Sequence, residues 1–251
     1  MLPRCQTISS ILQVALTTFH SRGELETFRQ IMWPLCPSDE NPGSADMWGG
    51  FKGNAKTSAT LKRRSLACHS QHRLGPEGEG GKTICDSAML SDVNPCLVVS
   101  VGSNGQVEFE SAAHKLAPHC RIDIWDGTLT GGRMKLRSAI PSFANFIPTN
   151  FNPTTWQHYH NHSKVDVLKI DCEGCEWHDL EPWLKNVCTT QLLVEIHMTP
   201  TTIRRGDFKK LLDKLAHTFV LFYGEANLQC GWRATTTRAC VELAFVRRRP
   251  C

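Results

Sequence analysis

Two periodicities alternate along the second two-thirds of this chain. From about residue 83 onward, short apolar runs are separated by amphipathic stretches. PCLVVSV (95–101) is a continuous apolar run, the mark of a parallel strand buried on both faces. CRIDIWD (120–126) alternates apolar and polar positions, and VDVLKID (165–171), QLLVEIHM (191–198), TFVLFYGEAN (218–227) and RACVELAFVRR (238–248) read as further strands. Three stretches between them repeat at helical spacing instead: QVEFESAAHKLA (106–117), EWHDLEPWLKNV (176–187) and GDFKKLLDKLAH (206–217). The last places Phe208, Leu211, Leu212 and Leu215 on one face. Such alternation predicts an α/β fold with a doubly wound parallel sheet. The final two strands have no helix between them and are expected as an antiparallel edge hairpin.

The first third looks different. Residues 1–36 read as helical or mixed, and 37–60 are rich in Gly, Pro, Ser, Asn and Asp. An N-terminal extension over 1–60, helical and then irregular, is therefore expected ahead of a domain over 61–251. HRLGPEGEGGK (72–82) reads as a loop. No apolar run approaches the ~20 residues that span a bilayer. The segment ISSILQVALTTF, interrupted by Ser9, Ser10 and Gln13, reads as an amphipathic helix rather than a secretory signal.

A net charge of +4 over 251 residues, with basic residues scattered, gives no reason to expect nucleic acid. The runs KRR (62–64) and RRR (247–249) read as solvated surface. Twelve cysteines are many for a cytosolic chain. The even count permits pairing, and a bridge among Cys68, Cys85, Cys96 and Cys120 is allowed. Cys172 and Cys175 form a lone C-x-x-C, which lacks the second pair of a structural zinc site. They are not expected as a thioredoxin-type redox pair. A cytoplasmic location is slightly favoured over the secretory pathway.

In an open α/β sheet, ligands bind beyond the carboxyl ends of the strands. The first of these ends reads VGSNGQ. Gly102 and Gly105, with Ser103 and Asn104 between them, let a nucleotide-like cofactor approach bare backbone where a Cβ would fill the space. The second strand ends in Asp126, placed to accept hydrogen bonds from ribose hydroxyls as in the dinucleotide fingerprint. The third ends in KIDCEGCEW, which crowds Asp171, Glu173 and Glu176. Three acids so close repel one another unless a ligand, a cation or donors compensate them. The fourth carries Glu195 and His197 two apart on one strand face. His197 or Asp171 suits a general base. HYHNH (158–162) reads as surface. No metal site is assigned, although Asp171, Glu195 and His197 offer ligand types that a divalent ion accepts.

With these motifs in place, the chain resembles the class I S-adenosylmethionine-dependent methyltransferases, and more narrowly the FkbM-related and methyltransferase-like groups. The resemblance spans roughly 61–248 and rests on GGKTICDS, VVSVGSNGQVEFE, IDIWDGT, VDVLKIDCEGCEW, LLVEIHM, GEANLQC and CVELAFV. It implies a Rossmann-like, seven-stranded, mostly parallel sheet with S-adenosyl-L-methionine as cofactor. Gly102, Ser103, Asn104, Gly105, Asp126, Asp171 and Glu173 would bind the cofactor. Asp171, Glu195 and His197 would serve methyl transfer to an oxygen of a sugar or small molecule. One departure stands out: the class carries an acidic residue just before the first glycine, and here Ser100 and Val101 occupy that place. A non-catalytic module that keeps the fold is the competing expectation. A nicotinamide oxidoreductase ranks last, because the full G-x-G-x-x-G is missing.

Overall fold

A computed structural model describes residues 68–77, 79–129, 140–152, 156, 164–199, 202, 207–227 and 239–251. The expected extension over 1–60, the KRR run, the HYHNH run and the loop joining the last two strands lie outside the described residues. In chain order the elements are β1 (Gln71–Leu74), β2 (Lys82–Cys85), α1 (Ala88–Ser91), β3 (Leu97–Val101), α2 (Glu108–Leu116), β4 (Arg121–Trp125) and β5 (Ala144–Ile147). They continue with β6 (Lys164–Ile170), a 3₁₀ turn (Cys175–Trp177), α3 (Leu180–Asn186), β7 (Cys188–Met198), α4 (Asp207–Thr218), β8 (Phe219–Asn227) and β9 (Ala239–Arg247). The main sheet has seven strands in the order β5-β4-β3-β6-β7-β9-β8, while β1 and β2 form a separate antiparallel pair. No described helix is long and apolar enough to cross a membrane.

The chain falls into two compact units. The first comprises 70–196 with 249–251. Its strands β5, β4, β3, β6 and β7 pair in parallel. All five residues of β3 and six of seven in β6 are buried, as apolar central strands covered on both faces must be. Phe109 and Ala113 of α2, and Leu180 and Trp183 of α3, are buried with them. An aromatic cluster fills the space beside α3: Trp156 and Phe151 lie 4.4 and 4.7 Å from the Trp183 ring, centre to centre. A disulfide joins Cys96 to Cys120, and another joins Cys188 to Cys251.

The second unit contains 197–248. β8 and β9 pair antiparallel with a bulge between Leu221 and Tyr223, the edge hairpin that the sequence predicts. Phe208, Leu212 and Leu215 of α4 are buried, and Leu211 sits half-buried at the margin of that face.

Two elements differ from expectation. β5 lies in a stretch that carries no recognisable strand pattern: of ANFI only Ile147 is buried, so an edge strand leaves little periodicity to read. The 72–82 segment is a hairpin rather than a plain loop, with Gln71 to Leu74 opposite Cys85 to Lys82.

Candidate functional site

The parallel register decides what meets at the carboxyl rim of the first unit. Val101 is level with Trp125 of β4 and Ile170 of β6, and Ile170 is level with Val194 of β7. The next residues of these four strands are Gly102, Asp126, Asp171 and Glu195. The first three follow the last residues of their strands, whereas β7 runs on to Met198; the shared register sets all four in one row. Backbone hydrogen bonds carry the ladder one residue further: Gly102 N–H donates to Trp125 O at 2.9 Å and Asp171 N–H to Val101 O at 2.9 Å.

The glycine loop turns sharply at this rim. Gly102 (φ +74°), Asn104 (φ +48°) and Gly105 (φ +79°) are all left-handed, a region that side chains other than Asn enter at a cost. A Cβ on Gly102 would overlap the Asp171 carbonyl oxygen. Gly102 is therefore required by the packing of two rim loops against each other. Asn104 is exposed at the loop tip.

Asp126 does not present free oxygens. One carboxylate oxygen accepts from the Ser103 amide at 2.9 Å, the Asn104 amide at 2.7 Å and the Ser103 hydroxyl at 3.1 Å. The other accepts from the Thr128 amide at 2.9 Å and its hydroxyl at 2.6 Å. The residue is 4% exposed. Burial pushes this carboxyl up, but the bonds from Thr128, Ser103 and Asn104 outweigh it and hold the group below the ordinary carboxylate value. Asp126 thus ties the glycine loop to the turn at Thr128. The Ser103 hydroxyl donates to Asp126 and also accepts from the Gly105 amide at 3.3 Å.

The acidic end of β6 is dispersed rather than crowded. Asp171 accepts from the Lys82 ammonium at 3.2 Å, and Lys82 also lies 3.5 Å from a Glu195 oxygen. Lys82 and Glu195 are buried, whereas the Asp171 side chain keeps 19% of its surface. Glu176 turns back to accept from the Gly174 amide at 2.9 Å and is buried. Glu173 is exposed, at φ +57°. Cys172 and Cys175 are joined by a disulfide that closes this turn, where a redox pair was not expected. His197, two residues beyond Glu195 on β7, is buried at 6% exposure.

Two lysines of this region go unmarked by pattern. Lys82 opens a short strand directly after a glycine-rich stretch and looks like surface. Lys169 interrupts an apolar strand, which is the one hint the sequence gives that it has buried acceptors to satisfy.

A family model described as a methyltransferase domain matches residues 60–140 and 135–247. Among solved structures, the Methanococcus jannaschii fibrillarin pre-rRNA processing protein is 16% identical over 64% of this chain and 70% of its own, with a TM-score of 0.44. Aeropyrum pernix fibrillarin with natively bound S-adenosyl-L-methionine is 13% identical over 64% of this chain and 73% of its own, at 0.42. A geranyl diphosphate methyltransferase in complex with the same cofactor is 10% identical over 64% of this chain and 82% of its own, at 0.40. No curated protein sequence matches. The chain belongs to the methyltransferase-domain family, with the Rossmann-like fold of the class I methyltransferases whose cofactor is S-adenosylmethionine.

Proposed function

We propose that this chain transfers a methyl group from S-adenosylmethionine to the hydroxyl oxygen of a sugar or small molecule. The observation that carries the reading is the row of Gly102, Asp126 and Asp171 at the carboxyl ends of adjacent parallel strands, with Glu195 level with them inside β7. The residues fit the cofactor at two points. The loop 102–105 offers backbone with little side chain. Asp171, ion-paired with Lys82, which also lies 3.5 Å from a Glu195 oxygen, offers a partly exposed carboxylate to a sulfonium or ammonium group. Asp126 supports the seat through the loop rather than by touching ribose.

When bound, S-adenosylmethionine supplies a methyl group already activated by its sulfonium. The protein's part is then to align the acceptor and keep water out. Asp171 is the acid of this row with reachable surface, and its carboxylate would take the proton that the acceptor hydroxyl gives up. Lys82 holds that carboxylate in place, and Glu195 completes the ion cluster. His197 is the second base to test. Glu173, exposed two residues after Asp171, is the further acid to test at the cofactor seat. The finer FkbM-type assignment and the extension over 1–60 rest on sequence pattern alone.

Isothermal titration of S-adenosylmethionine into wild type, Asp126→Ala and Asp171→Asn tests the seat. Wild-type binding that Asp126→Ala weakens supports it, and absent or equal binding sinks it. Labelled methyl from the cofactor should then appear in a product from a glycan or metabolite extract, and Asp171→Asn should abolish transfer. A second reading, a fold retained as a binding module, draws on the acid absent at 100–101 and on the spent oxygens of Asp126. Transfer of label by the wild type rejects it.

A further inference from the structure

The place where the class carries an acid on the first strand holds Ser100, yet the structure puts a carboxylate there. Glu110, in the first turn of α2, reaches back so that the Ser100 hydroxyl donates to its Oε1. Lys169 of β6 stands beside both. Its ammonium has three protons and three acceptors: the Ser100 hydroxyl at 3.2 Å, the Gly102 carbonyl at 3.1 Å and Glu110 Oε1 at 3.4 Å. All three side chains are buried, Ser100 and Glu110 fully and Lys169 at 3% exposure. Glu110 Oε2 is buried with no hydrogen-bond partner, so the carboxylate is held by its Oε1 contacts alone. An ion pair in such a place costs desolvation that hydrophobic side chains of equal volume would avoid. What it does that they could not is hold a backbone carbonyl at the first turn of the glycine loop.

We propose that Lys169 is a positioning residue for cofactor binding. It fixes the Gly102 carbonyl from below while Asp126 holds the Ser103 and Asn104 amides from the side. Glu110 and Ser100 orient its ammonium and supply, from a helix, the charge that the strand lacks. The loop is thus pinned at 102, 103 and 104 before any ligand arrives, which lowers the ordering cost of binding. This rests on the reading of the loop as the cofactor seat.

The test separates positioning from charge neutralisation. Lys169→Met leaves Glu110 charged and buried, and a large fall in stability is expected whatever the role. Adding Glu110→Gln removes that stray charge, so the double variant should regain most of the denaturation midpoint. Two readouts then apply to the full chain: hydrogen exchange of the 102–106 amides without ligand, and S-adenosylmethionine affinity by calorimetry. Positioning predicts exchange faster by about tenfold in that segment, with other regions unchanged, and affinity weaker by about tenfold or more in the refolded double variant, as the loss of a charge-assisted hydrogen bond implies. A double variant with wild-type loop exchange and wild-type affinity overturns the proposal and leaves the cofactor seat standing. A wild type that binds no S-adenosylmethionine overturns both.

Discussion

Replacing Gly102 with alanine adds a single methyl group at the point where the two rim loops touch. At φ +74° an alanine is strained whatever surrounds it, at a cost of about 1–3 kcal/mol. The added carbon would overlap the Asp171 carbonyl oxygen, lie 2.7 Å from that carbonyl carbon and 3.2 Å from Cys172 Cα. All of these are backbone atoms, so no rotamer change relieves the clash and one loop must move, adding about 1–3 kcal/mol as overpacking does. Gly174 is the control. It also has positive φ, at +123°, but its added Cβ meets nothing within 4 Å. Gly174→Ala should cost the strain term alone, about 1–3 kcal/mol. Urea denaturation should therefore place Gly102→Ala below Gly174→Ala by about 1–3 kcal/mol. Calorimetry should show S-adenosylmethionine affinity weakened about tenfold or more, near 1.4 kcal/mol, in Gly102→Ala, with little change in Gly174→Ala. Equal stabilities for the two variants, together with undiminished affinity in Gly102→Ala, would refute the claim that the glycine is there to let these loops meet.

Asp126→Asn should lower stability at pH 7 by about 2–4 kcal/mol, since it weakens hydrogen bonds to a buried charged acceptor. The folded carboxyl is held below its ordinary value, so its contribution is complete above the unfolded pKa and lost as pH falls through the folded one. The gap between wild type and variant should stay level from pH 7 to about 5 and close below about 4, measured by denaturation across that range. Lys82→Met withdraws the ammonium that pairs with Asp171 and Glu195. A loss of about 3–5 kcal/mol by urea denaturation is expected, and a loss under about 1 kcal/mol would show the cluster to be solvated like a surface pair. Every cysteine among the described residues is in a disulfide, so thiol titration of denatured, unreduced protein should find none of these nine free. The Cys188–Cys251 bridge, with its separation of 63 residues, should contribute about 4 kcal/mol by chain entropy, and Cys172–Cys175, only 3 apart, about 2. Cys188→Ser/Cys251→Ser against Cys172→Ser/Cys175→Ser in a denaturation series checks that order.

Strand periodicity made the sheet readable because buried strands have no choice of residue type. β3 shows it best, apolar at four of five positions, whereas β6 buries Asp166 and Lys169 among its four apolar residues. The same physics hides β5, an edge strand with one buried residue in four. Gly102, Asp126 and Asp171 were legible too, because a parallel sheet in register brings three separate strand ends into one row. The partners of those residues were not legible. Lys82 is separated by 89 residues from Asp171 and Lys169 by 59 from Glu110. Pairing at such distances is set by the fold, and nothing in the local sequence announces it.

The crowding of Asp171, Glu173 and Glu176 shows why adjacency along the chain misleads about charge. Read in one dimension, the three repel and so demand a ligand. In the structure the chain takes positive φ at Glu173 and Gly174, and the three acids lie in different surroundings. Asp171 takes a buried ammonium and Glu176 a backbone amide, while Glu173 is exposed. Lys82 thereby supplies at Asp171 part of the compensation that the one-dimensional reading assigns to a ligand. A divalent ion at these carboxylates would compete with Lys82 for their oxygens. Any test for metal dependence in this protein is then also a test of Lys82. If a divalent ion stimulates transfer, Lys82→Met should bind that ion more tightly than wild type, and a metal affinity unchanged by the substitution would mean the ion acts elsewhere.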